Sequence, residues 1–455
     1  MHKSLIREKD SWGKTICLFV AFIVSVVGFG PITAAASEPI PSGQFGSLLT
    51  LEEAVTRALK DHGEVKRAFA RLRKEEALYK GKLSEFLPKI KADAVGGMAT
   101  GEKRVLTYLD TGIEQPLFQG GKAIAEKKMQ KAVVEIEKLK LDDARLEVEL
   151  MVRVLYAQVL EEKELTRISQ GEVKELFREY ERIKKLVDKE ILPRHEFFRI
   201  ETLLESAKHA LVKHKETYDY LHTVLRETVG IGEGESLDLE PLGEIPELEG
   251  EVGAYLETAR RHDPVYKTRE LKVQEKRFEK RALQAERFPH IGLSARWNRF
   301  RDVFVDTDRF IVGIEGKWNI WDFGRLGSQI SAKEHEIEET KWEGELKIRE
   351  HEKEISRLFH EARAVRQKIR MQEALLKERE EIYKNEKTRL IAGEKGTGEL
   401  VDAFLALEEA KIVRIQAVTE YRIQIARLER KTAFAAINDT PPGNEVHFEN
   451  QEAEW

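Results

Sequence analysis

A single cysteine in 455 residues, Cys17, excludes any disulfide within the chain. It lies early in an apolar segment and far from the small-residue cleavage motif that follows, so it offers no thiol for a lipid anchor at a processed N-terminus. Beyond the first 36 residues no stretch approaches an apolar twenty-mer, which leaves no candidate for a membrane-spanning helix in the body of the chain. Contact with a bilayer interior would then require a closed β-barrel. Net charge is nearly absent too: 77 Lys and Arg stand against 82 Asp and Glu, a formal −5. Basic runs such as Arg182 to Lys189 are interleaved with acids, so no nucleic-acid footprint is visible. Catalytic signatures are missing. His195-Glu196 is not followed by the second histidine of a zinc-protease helix, no G-x-S-x-G or Walker loop occurs, and five methionines form no cluster with histidine. No enzymatic activity, cofactor or metal site is expected.

What is present is charge and helix. Charged residues make up 35% of the chain and prolines number only 12, a composition of long solvated helices rather than of several globular domains. Residues 1–36 read as a secretory signal peptide: Lys3, Arg7, Lys9 and Lys14 lead into the apolar run Ile16 to Phe29, and Ala34-Ala35-Ala36 precedes Ser37. Export is the expectation.

The stretch Asp308 to Arg325 organises the rest. Phe310, Val312, Ile314, Trp318 and Ile320 fall on one face of an extended chain, while Gly313, Glu315, Lys317 and Asn319 fall on the other. At Trp321-Asp322-Phe323-Gly324 the pattern changes to a heptad-like seam, with Asp322 as a helix cap. The same passage occurs earlier, with Gly112-Ile113-Glu114 matching Gly313-Ile314-Glu315 and Leu117 to Gly121 matching Ile320 to Gly324. Ala58 and Ala259, and Pro88 and Pro289, share an offset of 201; Glu196 and Glu399, and Leu204 and Leu407, share 203. The chain is therefore an internal duplication, and the two-residue insertion preserves inside and outside along a strand.

Each repeat reads alike. In the first, spanning 37–229, Thr50 caps a short amphipathic helix, a second helix ends ahead of Pro88, and a strand pair covers about 89–118. A helical hairpin follows over about 122–228, and Ala125, Met129, Ala132, Ile136 and Leu139 mark its seam. Its first arm alone would extend roughly 100 Å. In one strand pair Ile90, Ala92 and Ala94 face with Val105, Leu109 and Ile113, opposite Tyr108, Asp110 and Glu114. A linker over 230–250 separates the second repeat, 251–437, with a strand pair at about 290–321 and a hairpin at about 324–435. Residues 438–455 form an acidic tail expected to be disordered. Four strands are too few for a transmembrane barrel, so several chains must combine. Trp297, Phe300, Phe304, Phe310, Trp318 and Trp321 are candidate aromatic girdles.

This doubled order of short helices, strand pair, P-L-F-Q-G-G or W-D-F-G junction and long hairpin resembles the TolC-type outer membrane efflux proteins over about Leu49 to Ile437. The resemblance implies a mainly α fold with transmembrane β. It also implies a homotrimer whose 12-stranded barrel, four strands per protomer, sits in outer membrane lipid and continues as an α-helical coiled-coil tunnel through the periplasm. The four-strand count by itself would also allow a dimer. The implied role is the exit duct of a tripartite efflux pump or type I secretion system, working with a periplasmic adaptor and an inner-membrane transporter. From the family, Glu399 and Asp402 are expected to form acidic rings at a constriction, with Glu196 and Lys395 in its network. The hairpin tips Lys189-Glu190-Ile191 and Ala392-Gly393-Glu394 are expected to dock the adaptor, although only one family glycine is kept. A periplasmic structural or adaptor-like coiled coil without a pore is the competing expectation; it leaves the duplicated two-faced strands without a purpose.

Overall fold

The computed structural model describes residues 48–99, 104–232, 237–248, 250–301, 306–391 and 397–432. The expected signal peptide, the acidic tail, Phe304, Lys395 and the tip Ala392-Gly393-Glu394 lie outside these residues. Helices α1 (Leu51–Asp61) and α2 (Gly63–Leu83) lead through a short 3-10 turn into strands β1 (Lys89–Ala99) and β2 (Arg104–Phe118). The hairpin α3 (Lys122–Asp188) and α4 (Arg194–Val229) follows. The second repeat supplies α5 (Val252–His262), α6 (Pro264–Gln284), β3 (His290–Arg301), β4 (Asp306–Lys317), α7 (Arg325–Ile391) and α8 (Thr397–Thr432). Both long arms hold 67 residues and both return arms 36. Among the described residues no helix is long and apolar enough to cross a membrane.

The local chemistry explains the boundaries. Thr50 Oγ1 accepts from Glu53 N at 3.1 Å while the Glu53 carboxylate accepts from Thr50 N at 3.4 Å, a reciprocal cap that starts α1. His62 and Asp263, equivalent at offset 201, end one short helix and cap the next in each repeat. Before the long arms the backbone turns through two left-handed residues, Gly120 and Gly121 in one repeat, Phe323 and Gly324 in the other. Gly120 is required twice over, since a Cβ there would come within 2.5 Å of the Ala285 carbonyl. Asp322 then caps α7 by accepting from Gly324 N at 3.1 Å and Leu326 N at 2.9 Å.

The four strands form one antiparallel sheet in the order β1-β2-β3-β4. Partners directly across the ladder share a face, so the register defines two surfaces. On one lie Ile90, Ile113, Ala295 and Val312, then Ala92, Thr111, Trp297 and Phe310. On the other lie Asp93, Asp110, Asn298 and Arg309, then Lys91, Gly112, Arg296 and Ile311. The charged face is cross-linked by Lys91–Glu114 at 3.0 Å and Arg296–Glu315 at 2.8 Å. Two expectations need correction here. Phe300 pairs with Tyr108 and Thr307 and so belongs to the charged face, because it stands three residues from Trp297. β4 stops at Lys317 rather than near Trp321: its partner strand begins at His290, after Pro289, so Trp318 to Trp321 have no ladder to join.

The helices repeat the order of the sheet. α3 packs on α2, α4, α6 and α8, and α7 packs on α6 and α8, so the array runs from α2/α4 through α3 and α6/α8 to α7. The first core gathers Ala54, Ala58, Val148, Val152 and Leu225 around Tyr156, which is 1% exposed. The Tyr156 hydroxyl lies 2.9 Å from the Leu49 carbonyl and 2.7 Å from that of Glu240, tying the start of the first repeat and the inter-repeat segment to α3. Burial pushes this phenol up to about 12, so it remains a donor at all physiological pH. Tyr156→Phe leaves both buried carbonyls without this donor. It is expected to destabilise the fold by about 1–2 kcal/mol, read by denaturant titration, and to speed proteolytic cleavage within 237–248.

Candidate constriction at the hairpin ends

The end of the helical array farthest from the sheet is where the first turns of α4 and α8 meet. Pro193 starts α4, and Glu196 in its first turn suits the partial positive charge of a helix N-terminus; Glu399 holds the same place in α8. An apolar cluster holds the two together. Val401 of α8 is buried against Leu176 and Ile183 of α3 and Ile200 and Leu204 of α4.

Next to that cluster Arg199 Nη2 donates to both Asp402 carboxylate oxygens, at 2.6 and 2.8 Å. Arg199 Nη1 also stands 3.8 Å from Glu196, which lies 3.3 Å from the His195 ring. Arg199 and Asp402 are 203 residues apart, so they are equivalent positions of the two repeats carrying opposite charge. Gly398 makes room for the guanidinium, since a Cβ there would stand 3.2 Å from Arg199 Nη1. The expectation of two rings of acidic charge is thus modified. Asp402 is ion-paired, Glu196 joins it through Arg199, and Glu399 is exposed one turn earlier. Deeper in the hairpin the Glu179 carboxyl is pushed up by burial, against the nearby Arg182 at 3.8 Å.

At the tip, Lys189, Glu190 and Ile191 form the turn. Glu190 takes a left-handed φ of 58°, a conformation that costs a residue with a Cβ roughly 1–2 kcal/mol and that glycine adopts freely. Ile191, 63% exposed, projects beyond it. Behind the turn Tyr180 meets Phe197 at a tilt and Phe197 meets Phe198 edge to face, with ring centroids 5.2 and 5.9 Å apart.

Residues 256–433 match the sequence profile described as outer membrane efflux protein. The whole fold matches solved channels at low identity. The structure of CusC has a TM-score of 0.72 at 13% identity, covering 89% of this chain and 99% of that one. Residues 256–433 are thus similar to the outer membrane efflux protein family, and the chain shares the fold of these solved channels over 89% of its length. The Campylobacter jejuni CmeC outer membrane channel gives 0.73 at 14%, covering 89% and 94%. The open state of the Neisseria gonorrhoeae MtrE outer membrane channel gives 0.70 at 16%, covering 84% and 88%. No protein of curated function matches at the level of sequence.

The residue at this site that sequence reasoning missed is Arg199. Applying the offset of 203 to Asp402 finds it at once. Both partners are about half exposed, so one such pair is worth only ~0.2–1 kcal/mol and is screened by salt. Arg199→Glu is expected to leave thermal stability within about 1 kcal/mol of wild type while driving α4 and α8 apart. Arg199→Glu/Asp402→Arg restores the pair. Limited proteolysis near the tip reads the difference: faster cutting in the single variant and near wild-type cutting in the exchange.

Proposed function

We propose that this chain is the exit duct of a tripartite efflux pump or type I secretion system, a homotrimer that passively conducts cargo across the outer membrane and periplasm. A transporter in the inner membrane would supply that cargo through a periplasmic adaptor. The observation that carries this reading is the sheet. One face is apolar and one charged, which suits a lipid-facing wall and an aqueous lumen, and its outer strands β1 and β4 each have a partner on one side only. In hydrocarbon such edges must be paired. A coiled-coil protein without a pore has no use for such a sheet.

Internal duplication supplies the pairing. Within the chain, β2 and β3 join the repeats; the equivalent junction, β4 to β1 of the next copy, carries the same register and sets Ile314 opposite Ala94. Below the sheet Lys122 at the start of α3 pairs with Glu286 at 3.1 Å. Their equivalents are Arg325 at the start of α7 and Glu85, the same charges, now on neighbouring copies. Phe323, 92% exposed, faces that junction in place of Gly120. Three chains give six repeats and a twelve-stranded barrel. Trp297 and Phe310, with Trp318 and Trp321 beyond the ladder, form the lipid-facing aromatic belt.

At the far end, six equivalent helices around one axis have a spacing equal to the ring radius. Neighbours about 10 Å apart, the spacing of packed helices, leave an aperture little wider than their side chains. The Arg199–Asp402 link across repeats therefore belongs to a narrow constriction, with Glu196, Glu399 and Lys395 making its field selective for cations. Ile191 and the charged tips, with Ala392-Gly393-Glu394, present the adaptor-docking surface.

Native mass spectrometry and single-channel recording of the purified full-length protein test this reading. A trimer with a small cation-selective conductance, enlarged several-fold in Asp402→Asn/Glu399→Gln, is the expected result. A protein that never conducts and never exceeds a dimer contradicts it.

A further inference from the structure

Midway along the helices, about 30 Å from the Arg199–Asp402 pair at 1.5 Å per residue, residues of α3, α8 and the segment 239–245 face one another. Between them lies an open-sided cavity of about 810 Å³, of the size of sites that take a drug-sized ligand. Its wall is apolar where Leu160, Leu239, Leu242, Ile245, Ile415 and Val418 meet. Into it project two arginines of α8, Arg414 and Arg422.

Their charge is poorly compensated. Arg422 donates to the Gly243 and Glu244 carbonyls, and among the described residues no carboxylate pairs with it. Burial pushes its guanidinium down, with no opposing anion to restore it. Arg414 reaches Glu373 only at 3.8 Å. Of the acids in the cavity wall, Glu164 is paired with Arg167, Glu244 meets Arg422 through its carbonyl, and Glu161 is a poor counter-ion. Burial and the adjacent Glu162 push the Glu161 carboxyl up to about 7, so near neutrality a large share of it is uncharged. The Thr166 hydroxyl, also in the lining, has no partner. Both arginines are half-buried, and a ligand carrying an anion offsets the desolvation of such a cation with a charge-assisted hydrogen bond.

We propose that this cavity binds an anionic amphiphile, its carboxylate, sulfonate or phosphate head on Arg422 and Arg414 and its apolar body against Leu160, Ile415 and Val418. The site is independent of the conducting role. Because Arg422 holds the segment between the repeats, occupancy also fastens that segment to α8. An amphiphile without negative charge lacks the head-group contact, and one with a positive head meets the two arginines.

The test uses the full-length protein in lipid nanodiscs, with sodium dodecanoate as the anionic probe and dodecyltrimethylammonium as its cationic counterpart, followed by isothermal titration calorimetry. Saturable binding of dodecanoate is expected, at least tenfold tighter than the cation. Arg422→Gln/Arg414→Gln weakens it about tenfold or more. Val418→Trp, which puts an indole ring against the apolar wall and spares both arginines, abolishes it, and its near-native circular dichroism and conductance rule out misfolding as the cause. Equal binding of the two probes overturns the proposal. So does dodecanoate binding that survives Val418→Trp, which would mean partition into lipid or onto the barrel surface.

Discussion

The structure depends on the hydrogen-bonding demand of a sheet edge. A strand in hydrocarbon cannot leave its N–H and C=O groups unpaired, because each one costs several kcal/mol. A sheet of four strands with an apolar face has two such edges, and one chain cannot close them. Everything below the sheet inherits this condition. The helices follow the order of the strands, so α7 at one margin and α2/α4 at the other are the helical counterparts of β4 and β1. An arrangement that pairs the strands also pairs the helices, and in the proposed trimer a barrel continued by a hollow cylinder results.

Duplication makes the closure economical. In the proposed assembly a junction already built within the chain serves again between chains, provided that its chemistry is kept on both sides. Lys122 and Arg325 keep their sign, as do Glu286 and Glu85. Gly120 and Phe323 keep their left-handed backbone and differ in side chain, so the junction between chains cannot approach as closely as the one within. At the constriction the repeats diverge in sign instead. Arg199 and Asp402 are the same position twice, and only because they differ can they bind each other. A perfectly symmetric duplication would place two like charges there.

Much of the fold was legible because period-two and heptad patterns report which face is buried, and those patterns are strong in Ile90 to Ala94, Phe310 to Ile314 and Ala125 to Leu139. Boundaries set by a side chain were legible too, as at Thr50 and Asp322. What escaped depended on partners distant in sequence. β4 ends where β3 begins, a fact held by Pro289 and not by Trp318 to Trp321. Phe300 and Trp297 are alike in residue type, but parity along the strand puts them on opposite faces. At the hairpin ends the family resemblance points to the acids and not to Arg199, the cation that pairs with Asp402. The cavity between α3 and α8 had no signature at all, because the segment that roofs it, 239–245, has no periodicity.

The most direct test of the account is oxidative cross-linking of Ile314→Cys/Ala94→Cys in membranes. Directly opposed residues of antiparallel strands stand at disulfide distance, and each chain would carry one cysteine at each edge. Closure in the inherited register predicts a covalent species of three chains and nothing larger, absent when the pair is moved to Ile314→Cys/Val95→Cys on opposite faces. Monomers alone, or a ladder running past three chains, would contradict a closed trimeric barrel.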